Sequence, residues 1–314
     1  MVRLVIPAVV WLVGVSLLAA AEEPTAAPSG DAEIRGGTGA NEIVVRTTQR
    51  LAGAIDSLTW GGKEFVDSVD HGRQIQTAAN FDCGRPFFAE TFNPTEAGSR
   101  LDGAGPKSSS RLLSLSAKGN VLETLVQPAF WLAPGEKSSV HPAYNEKILS
   151  DHRIGKRVEI GWENLTHVIR YDVAYTVPAD EQHTYSQFEV VTGYMPPDFS
   201  TFLKFDPETG KLQPLDDGPG EQPHPVVLAT ADGRFAMGVY SPDGPKQGYR
   251  GPGYGRFRFK AEKVVKWNCV FRQRDPNGTP TGEHKFRSFV VVGSQTDCEN
   301  ALRELHQRFA EEGG

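Results

Sequence analysis

Apolar and polar residues alternate with a period of two between Arg157 and Met195. Val158, Ile160 and Trp162 alternate with Arg157, Glu159 and Gly161. After Glu163-Asn164 the series Leu165, His167, Ile169, Tyr171, Val173, Tyr175 and Val177 falls on one face of an extended segment. Thr166, Arg170, Asp172 and Thr176 fall on the other, with Val168 and Ala174. That period is the mark of a strand with one buried face. Pro178-Ala179-Asp180 ends the segment, and Phe188, Val190, Thr192 and Tyr194 then predict one face of the next strand. Long strands in succession predict an antiparallel meander.

Similar but shorter patterns predict strands at Ile43–Thr48, Ala54–Trp60, Arg73–Thr77, Leu112–Ser116 and Val121–Gln127. Later ones are expected at Val226–Ala229, Phe235–Ser241, Gly255–Phe259, Val264–Arg272 and Phe286–Gly293. Gly61-Gly62, Asp232-Gly233 and Asn277-Gly278 supply turns between them. Near the C-terminus the period changes. Cys298, Ala301, Leu302, Leu305 and Phe309 recur at helical spacing, and Thr296 with Glu299 reads as a capping box. Many strands and one terminal helix predict an all-β fold, a large antiparallel two-sheet β-sandwich with a C-terminal α-helix on the outside of a sheet.

The N-terminus has a different composition. Arg3 precedes an apolar run from Leu4 to Leu18 that contains Pro7, and Ala19-Ala20-Ala21 follows. A basic start, a short apolar core and small residues are the parts of a secretory signal peptide, expected here over residues 1–21. The run is shorter than the roughly 20 residues a spanning helix needs, so no stable membrane span is expected after cleavage. The chain is therefore read as secreted or periplasmic. Residues 22–40 are rich in Pro, Ala, Gly, Ser and Glu and read as a flexible leader, which leaves 41–314 as one domain. The stretch Pro207 to Pro225 reads as an insertion between strands. A formal charge of −6, which becomes −7 without Arg3, gives no basic surface for nucleic acid. The three cysteines allow one disulfide at most, and their spacing does not suggest a metal site.

No common catalytic motif is present, so polar clusters carry the search. Asp70-His71-Gly72-Arg73-Gln74-Ile75-Gln76 offers Arg73, whose guanidinium can fork two hydrogen bonds to a carboxylate or to sugar hydroxyls, with Gln76 beside it. Each could equally be structural. In Phe92-Asn93-Pro94-Thr95-Glu96-Ala97-Gly98-Ser99, Asn93-Pro94 starts a turn, and Gly98 is expected at positive φ. A turn of this kind can hold Glu96 rigidly as a general acid or base, or Asn93 and Glu96 can merely tie the turn to its own backbone. His152 follows Asp151 in a loop and is a candidate proton carrier. His167, between Leu165 and Ile169, reads as a core histidine. The Gly-rich run from Tyr249 to Arg256 offers Arg250 and Tyr254 to a sugar. No metal and no cofactor is expected.

The run Gly53 to Phe65, followed by Asp70 to Gln76, resembles the opening strands of the galactose mutarotase-like supersandwich. The turn Asn93 to Gly98 resembles one in secreted bacterial proteins of similar layout. The resemblance implies a sandwich with a concave sugar-binding face, as in aldose epimerases, glycoside hydrolase domains and polysaccharide lyases. The family's catalytic histidine motif and its late glutamate have no match here, which counts against simple mutarotase activity. The leading expectation is a secreted enzyme, a polysaccharide lyase or glycoside hydrolase, with Glu96 and His152 catalytic and Arg73, Gln76, Asn93, Arg250 and Tyr254 on an oligo- or polysaccharide. The alternative is a non-catalytic carbohydrate-binding or structural envelope protein. Geometry separates them. Convergence of Arg73, Glu96 and His152 on one cleft favours an enzyme, and a groove lined by aromatics without that convergence favours binding.

Overall fold

The computed structural model describes residues 28–243 and 249–312. The expected signal peptide, 1–21, lies outside them. Two large antiparallel sheets pack face to face, as the strand rhythm predicts, and no helix among the described residues is long and apolar enough to cross a membrane. The main path of the first sheet runs in the order Ala32–Gly36, Ile43–Thr47, Ile55–Trp60, Ile75–Phe81, Tyr185–Met195, Val264–Arg274, Tyr249–Phe259 and Gly220–Gln222. The second runs Lys211–Pro214, Thr201–Asp206, Val226–Ala229, Ala236–Tyr240, Gly282–Gly293, Leu165–Val177, Arg153–Trp162, Val121–Gln127 and Arg111–Lys118.

Inward-facing side chains of both sheets make the core, among them Phe65, Phe81, Tyr171, Tyr175, Phe188, Trp267 and Phe271. The alternation from Ile169 to Val177 is buried as read from the sequence. The helix Gln295–Glu312 covers the outside of the second sheet, where Cys298, Ala301, Leu302 and Leu305 pack on Val168, Phe205 and Phe289. All three cysteines are free, with Cys269 and Cys298 buried.

Four sequence expectations change. The leader is not flexible throughout, because Ala32–Gly36 pairs as an edge strand with Ile43–Thr47 and buries Ile34. The helix is capped by Ser294, not Thr296: Ser294 N and Oγ donate to Asp297 Oδ2 at 2.9 and 2.6 Å. Glu299 instead accepts from Leu212 N and Lys211 Nζ, each at 2.9 Å. The meander holds only for Arg153–Trp162 and Leu165–Val177, since after Val177 the chain crosses to the first sheet. Pro207 to Pro225 is not a simple insertion, for it gives one short strand to each sheet.

The sheets are also joined by charge. Lys156 occupies an inward position of Arg153–Trp162, between Ile154 and Val158. It pairs with the Glu96 carboxylate, and both side chains are fully buried. Lys156 Nζ donates also to Gly53 O at 3.0 Å, and Glu96 Oε2 accepts from Thr77 N at 2.9 Å. Thr77 and Tyr171 hydroxyls meet at 3.3 Å across the core. Removing one partner of a buried pair strands the other charge. Glu96→Ala is expected to lose about 3–5 kcal/mol of unfolding free energy in guanidinium titrations. The apolar double variant Glu96→Leu/Lys156→Met should recover most of it. A loss below about 1 kcal/mol in the single variant would show the pair to be dispensable.

Candidate functional site

A groove of about 580 Å³ lies on the outer face of the first sheet. Its floor comes from alternate residues of three adjacent strands: Gln76, Ala78 and Asn80; Gln187, Glu189, Thr192 and Tyr194; and Val264, Lys266 and Asn268. Cross-strand register places Lys266 opposite Tyr194, and Asn268 opposite Thr192. Loop residues Asp70, Gly72, Arg73, Ala89, Glu90, Asn93 and Trp131 form walls, with Phe257 and Phe259 at one side. Gly72 is needed for that wall, because a Cβ there would stand 2.7 Å from Trp131 Cη2.

A bulge creates the polar floor. The register of Tyr185–Met195 shifts between Glu189 and Val191, so Val190 and Val191 are both buried. Before the bulge Gln187 and Glu189 face outward, and after it Thr192 and Tyr194 do. The sequence alternation had grouped Thr192 and Tyr194 with Phe188.

Glu189 accepts from Lys266 Nζ at 3.1 Å and from Asn268 Nδ2 at 3.2 Å. The two side chains of the ion pair keep 14% and 13% exposure, so the pair reaches the groove while mostly shielded. Burial alone pushes the Glu189 carboxyl up. The Lys266 ammonium, the Asn268 amide and Arg272 outweigh it and hold the group below the usual carboxylate range. Burial pulls Lys266 down, but the Glu189 charge wins and raises it. Lys266 Nζ also lies 5.1 Å from the Tyr194 ring centroid and 5.4 Å from that of Phe257. Tyr194 and Phe257 each stack on Phe259, at interplanar angles of 16° and 9°, which gives three nearly parallel rings. Nearby, Glu221 takes a two-pronged bond from Arg272 at 2.7 and 2.5 Å.

Of the residues that the sequence offers to a sugar, Arg73, Gln76 and Asn93 line this groove. Arg73 is already neutralised by Asp70 at 3.2 Å and Asp67 at 3.7 Å. The Gln76 amide is engaged by backbone at both ends, donating to Gly72 O and accepting from Ala97 N, each at 3.0 Å. Asn93 donates to Ala79 O. These three shape the groove more than they offer free groups.

The other four candidates lie elsewhere. Glu96 is in the core with Lys156, and Gly98 behind it has the positive φ expected, 129°. His152 is not on a solvated loop. It is fully buried among Phe81, Phe92, Phe130 and Tyr175, and burial pushes its imidazole down toward the neutral form. Tyr254 turns inward, and its hydroxyl accepts from Ser241 N at 2.9 Å. Arg250 is exposed and outside the groove lining. His167 is half-buried rather than core, with Nδ1 at 2.8 Å from Val292 O.

Sequence reasoning missed Glu189, Tyr194, Phe257, Lys266 and Asn268. One signal was there to be read: Lys266, Asn268 and Arg272 alternate with Val265, Trp267, Cys269 and Phe271, an apolar inner series against a largely polar outer one that only Val270 interrupts. A second recess, also about 580 Å³, lies on the second sheet, where the outward positions Gly155 and Ala174 leave a hollow. Its Asp172 is held between Arg170 at 2.6 Å and Arg287 at 3.7 Å, and Phe286 is the one aromatic in its described lining, against four in the first groove.

No family model and no curated protein matches the chain. Solved structures align with it at low identity. The Synechocystis protein Slr1438 aligns at 9% identity over 87% of this chain and 100% of its own, with a TM-score of 0.45. A glycosyl hydrolase family 38 protein from Enterococcus faecalis aligns at 12% over 82% of this chain and 31% of its own, TM-score 0.44. A Klebsiella pneumoniae protein provisionally assigned as an aldose 1-epimerase aligns at 10% over 91% and 92%, TM-score 0.43. Likeness of that degree assigns neither family nor function to the chain.

The depressed Glu189 carboxyl has a pH signature. Its contribution to stability is complete above the unfolded-state value of about 4.3 and is lost as pH falls toward the lower folded value. Glu189→Gln is expected to cost about 2 kcal/mol near neutral pH, less than a fully buried pair because this one meets solvent. Melting temperatures of the two proteins should converge as the pH is lowered past the unfolded-state value and on through the lower folded one. A gap independent of pH would remove the ionised pair from the account.

Proposed function

We propose that this is an exported carbohydrate-binding protein whose groove holds a neutral oligosaccharide. The carrying observation is the groove's combination of ring faces with ionised, hydrogen-bonding floor groups. Trp131, Tyr194, Phe257 and Phe259 offer flat apolar surface, and Glu189, Asn80 and Asn268 offer acceptors and donors for hydroxyls. Export rests on the composition of residues 1–21.

Charge decides the kind of sugar. The groove lining carries the carboxylates Asp70, Glu90, Glu189, Glu221 and Glu262 against the cations Arg73 and Lys266. A surplus of negative charge repels uronates and sulfated sugars, so the polysaccharide-lyase reading loses its substrate. Binding is favoured over hydrolysis for a second reason. Arg73 lies in the groove, but Glu96 and His152 are in the core, so the expected acid–base pair does not converge on it. Lys266 and Asn268 favour the ionised form of Glu189, which suits it to accept hydrogen bonds from hydroxyls rather than to donate a proton.

Calorimetric titration of the purified protein with neutral gluco-, galacto-, manno- and xylo-oligosaccharides, beside oligouronates, tests this reading. At least one neutral series should bind and the oligouronates should not. Trp131→Ala should weaken that binding by about tenfold, the loss of one stacked ring. Binding of oligouronates alone, or affinity untouched by both Trp131→Ala and Tyr194→Ala, would overturn it.

A further inference from the structure

The loop from Pro178 to Thr184 carries the chain from the second sheet to the first, with Glu181 and His183 on it. His152, just before Arg153–Trp162, meets them. Glu181 Oε2 lies 2.8 Å from His183 Nε2 and 3.2 Å from His152 Nε2. One ligand atom from each of the three residues lies within 4.8 Å of the other two. Both imidazoles stack on Phe81, at centroid separations of 5.1 and 4.6 Å. His152 is fully buried; among the described residues its Nδ1 has no hydrogen-bond partner, and its Nε2 has only the Glu181 carboxylate at 3.2 Å. The buried hydroxyl of Tyr175, whose ring sits 5.6 Å from His152, has no hydrogen-bond partner among them either.

A buried polar group without a partner costs about 1–3 kcal/mol. A carboxylate that faces two imidazole nitrogens, one of them on a fully buried ring, offers three donor atoms to a single ligand. We propose that His152, Glu181 and His183 bind a divalent transition-metal ion of the zinc class. Two imidazole nitrogens and a carboxylate oxygen are donors such an ion takes, whereas calcium and magnesium prefer oxygen alone. The expectation of no metal, drawn from sequence spacing, gives way because the ligands come from two separate loops.

The site has one internal cost. Cys83 N donates to His183 Nδ1 at 3.3 Å. Coordination through Nε2 moves the ring proton to Nδ1 and gives up this long contact. The Glu181 side chain, 21% exposed, marks the side open to solvent. A bound ion would clamp the crossing loop to the start of Arg153–Trp162, on the core side of Phe81.

The test uses the tag-free protein, stripped with a chelator and titrated with zinc chloride by calorimetry and with cobalt chloride by visible absorption. One equivalent of zinc should bind, and cobalt should develop the intense visible bands of a low-coordinate site. Glu181→Gln and His183→Gln should each weaken zinc binding by about tenfold or more. The cobalt spectrum is read on the unaltered chain, so it decides the matter even if a variant fails to fold. A cobalt spectrum like that of the free aqueous ion, or wild-type zinc affinity in a folded Glu181→Gln, overturns the proposal.

Discussion

Two opposite charges buried between the sheets constrain the rest of the molecule. Lys156 comes from the second sheet and Glu96 from the turn beside Ile75–Phe81 in the first, and neither side chain sees solvent. Charges taken out of water are tolerated only when paired and fully hydrogen-bonded. Gly53 O accepts from Lys156, Thr77 N donates to Glu96, and the Thr77–Tyr171 hydroxyl contact extends the network to the second sheet. The network ties a loop, the turn and both sheets to one geometry. The strand carrying Thr77 inward presents Gln76, Ala78 and Asn80 outward. The groove floor is therefore set from behind, by the pair in the core.

That arrangement explains why Glu96 looked catalytic. A rigid turn ending in a carboxylate is what an active site needs, and also what a buried ion pair needs. The sequence motif Asn93 to Gly98 is the same in both cases, and the choice depends on whether an inward lysine lies opposite. Lys156 sits sixty residues away, in an alternation where Ile154, Val158 and Ile160 mark the buried face. A lysine at that phase was the available clue.

The strand rhythm made most of the fold legible, since period two survives wherever one face is buried and the other is wet. It failed where the backbone departs from regular pairing. The bulge at Val190 and Val191 reverses the phase of Thr192 and Tyr194, and bulges leave no reliable mark in sequence. The crossing after Val177 likewise hid the meeting of His152 with Glu181 and His183, which depends on two sheets and not on spacing along one chain. Arg73, Gln76 and Asn93 line the groove because they lie on or beside Ile75–Phe81, whose outer face is its floor.

The two faces of Ile75–Phe81 thus carry different duties: inward, Thr77 and Phe81 meet the charged network and the histidine pair; outward, the strand meets the proposed ligand. A crystal structure of the protein with a bound neutral oligosaccharide tests this division most directly. The account predicts a sugar ring lying on the Tyr194, Phe257 and Phe259 platform, with a hydroxyl bonded to Glu189 and the Glu96–Lys156 pair undisturbed. A sugar seated instead in the hollow over Gly155 and Ala174 on the second sheet, or one bonded to Glu96, would contradict it.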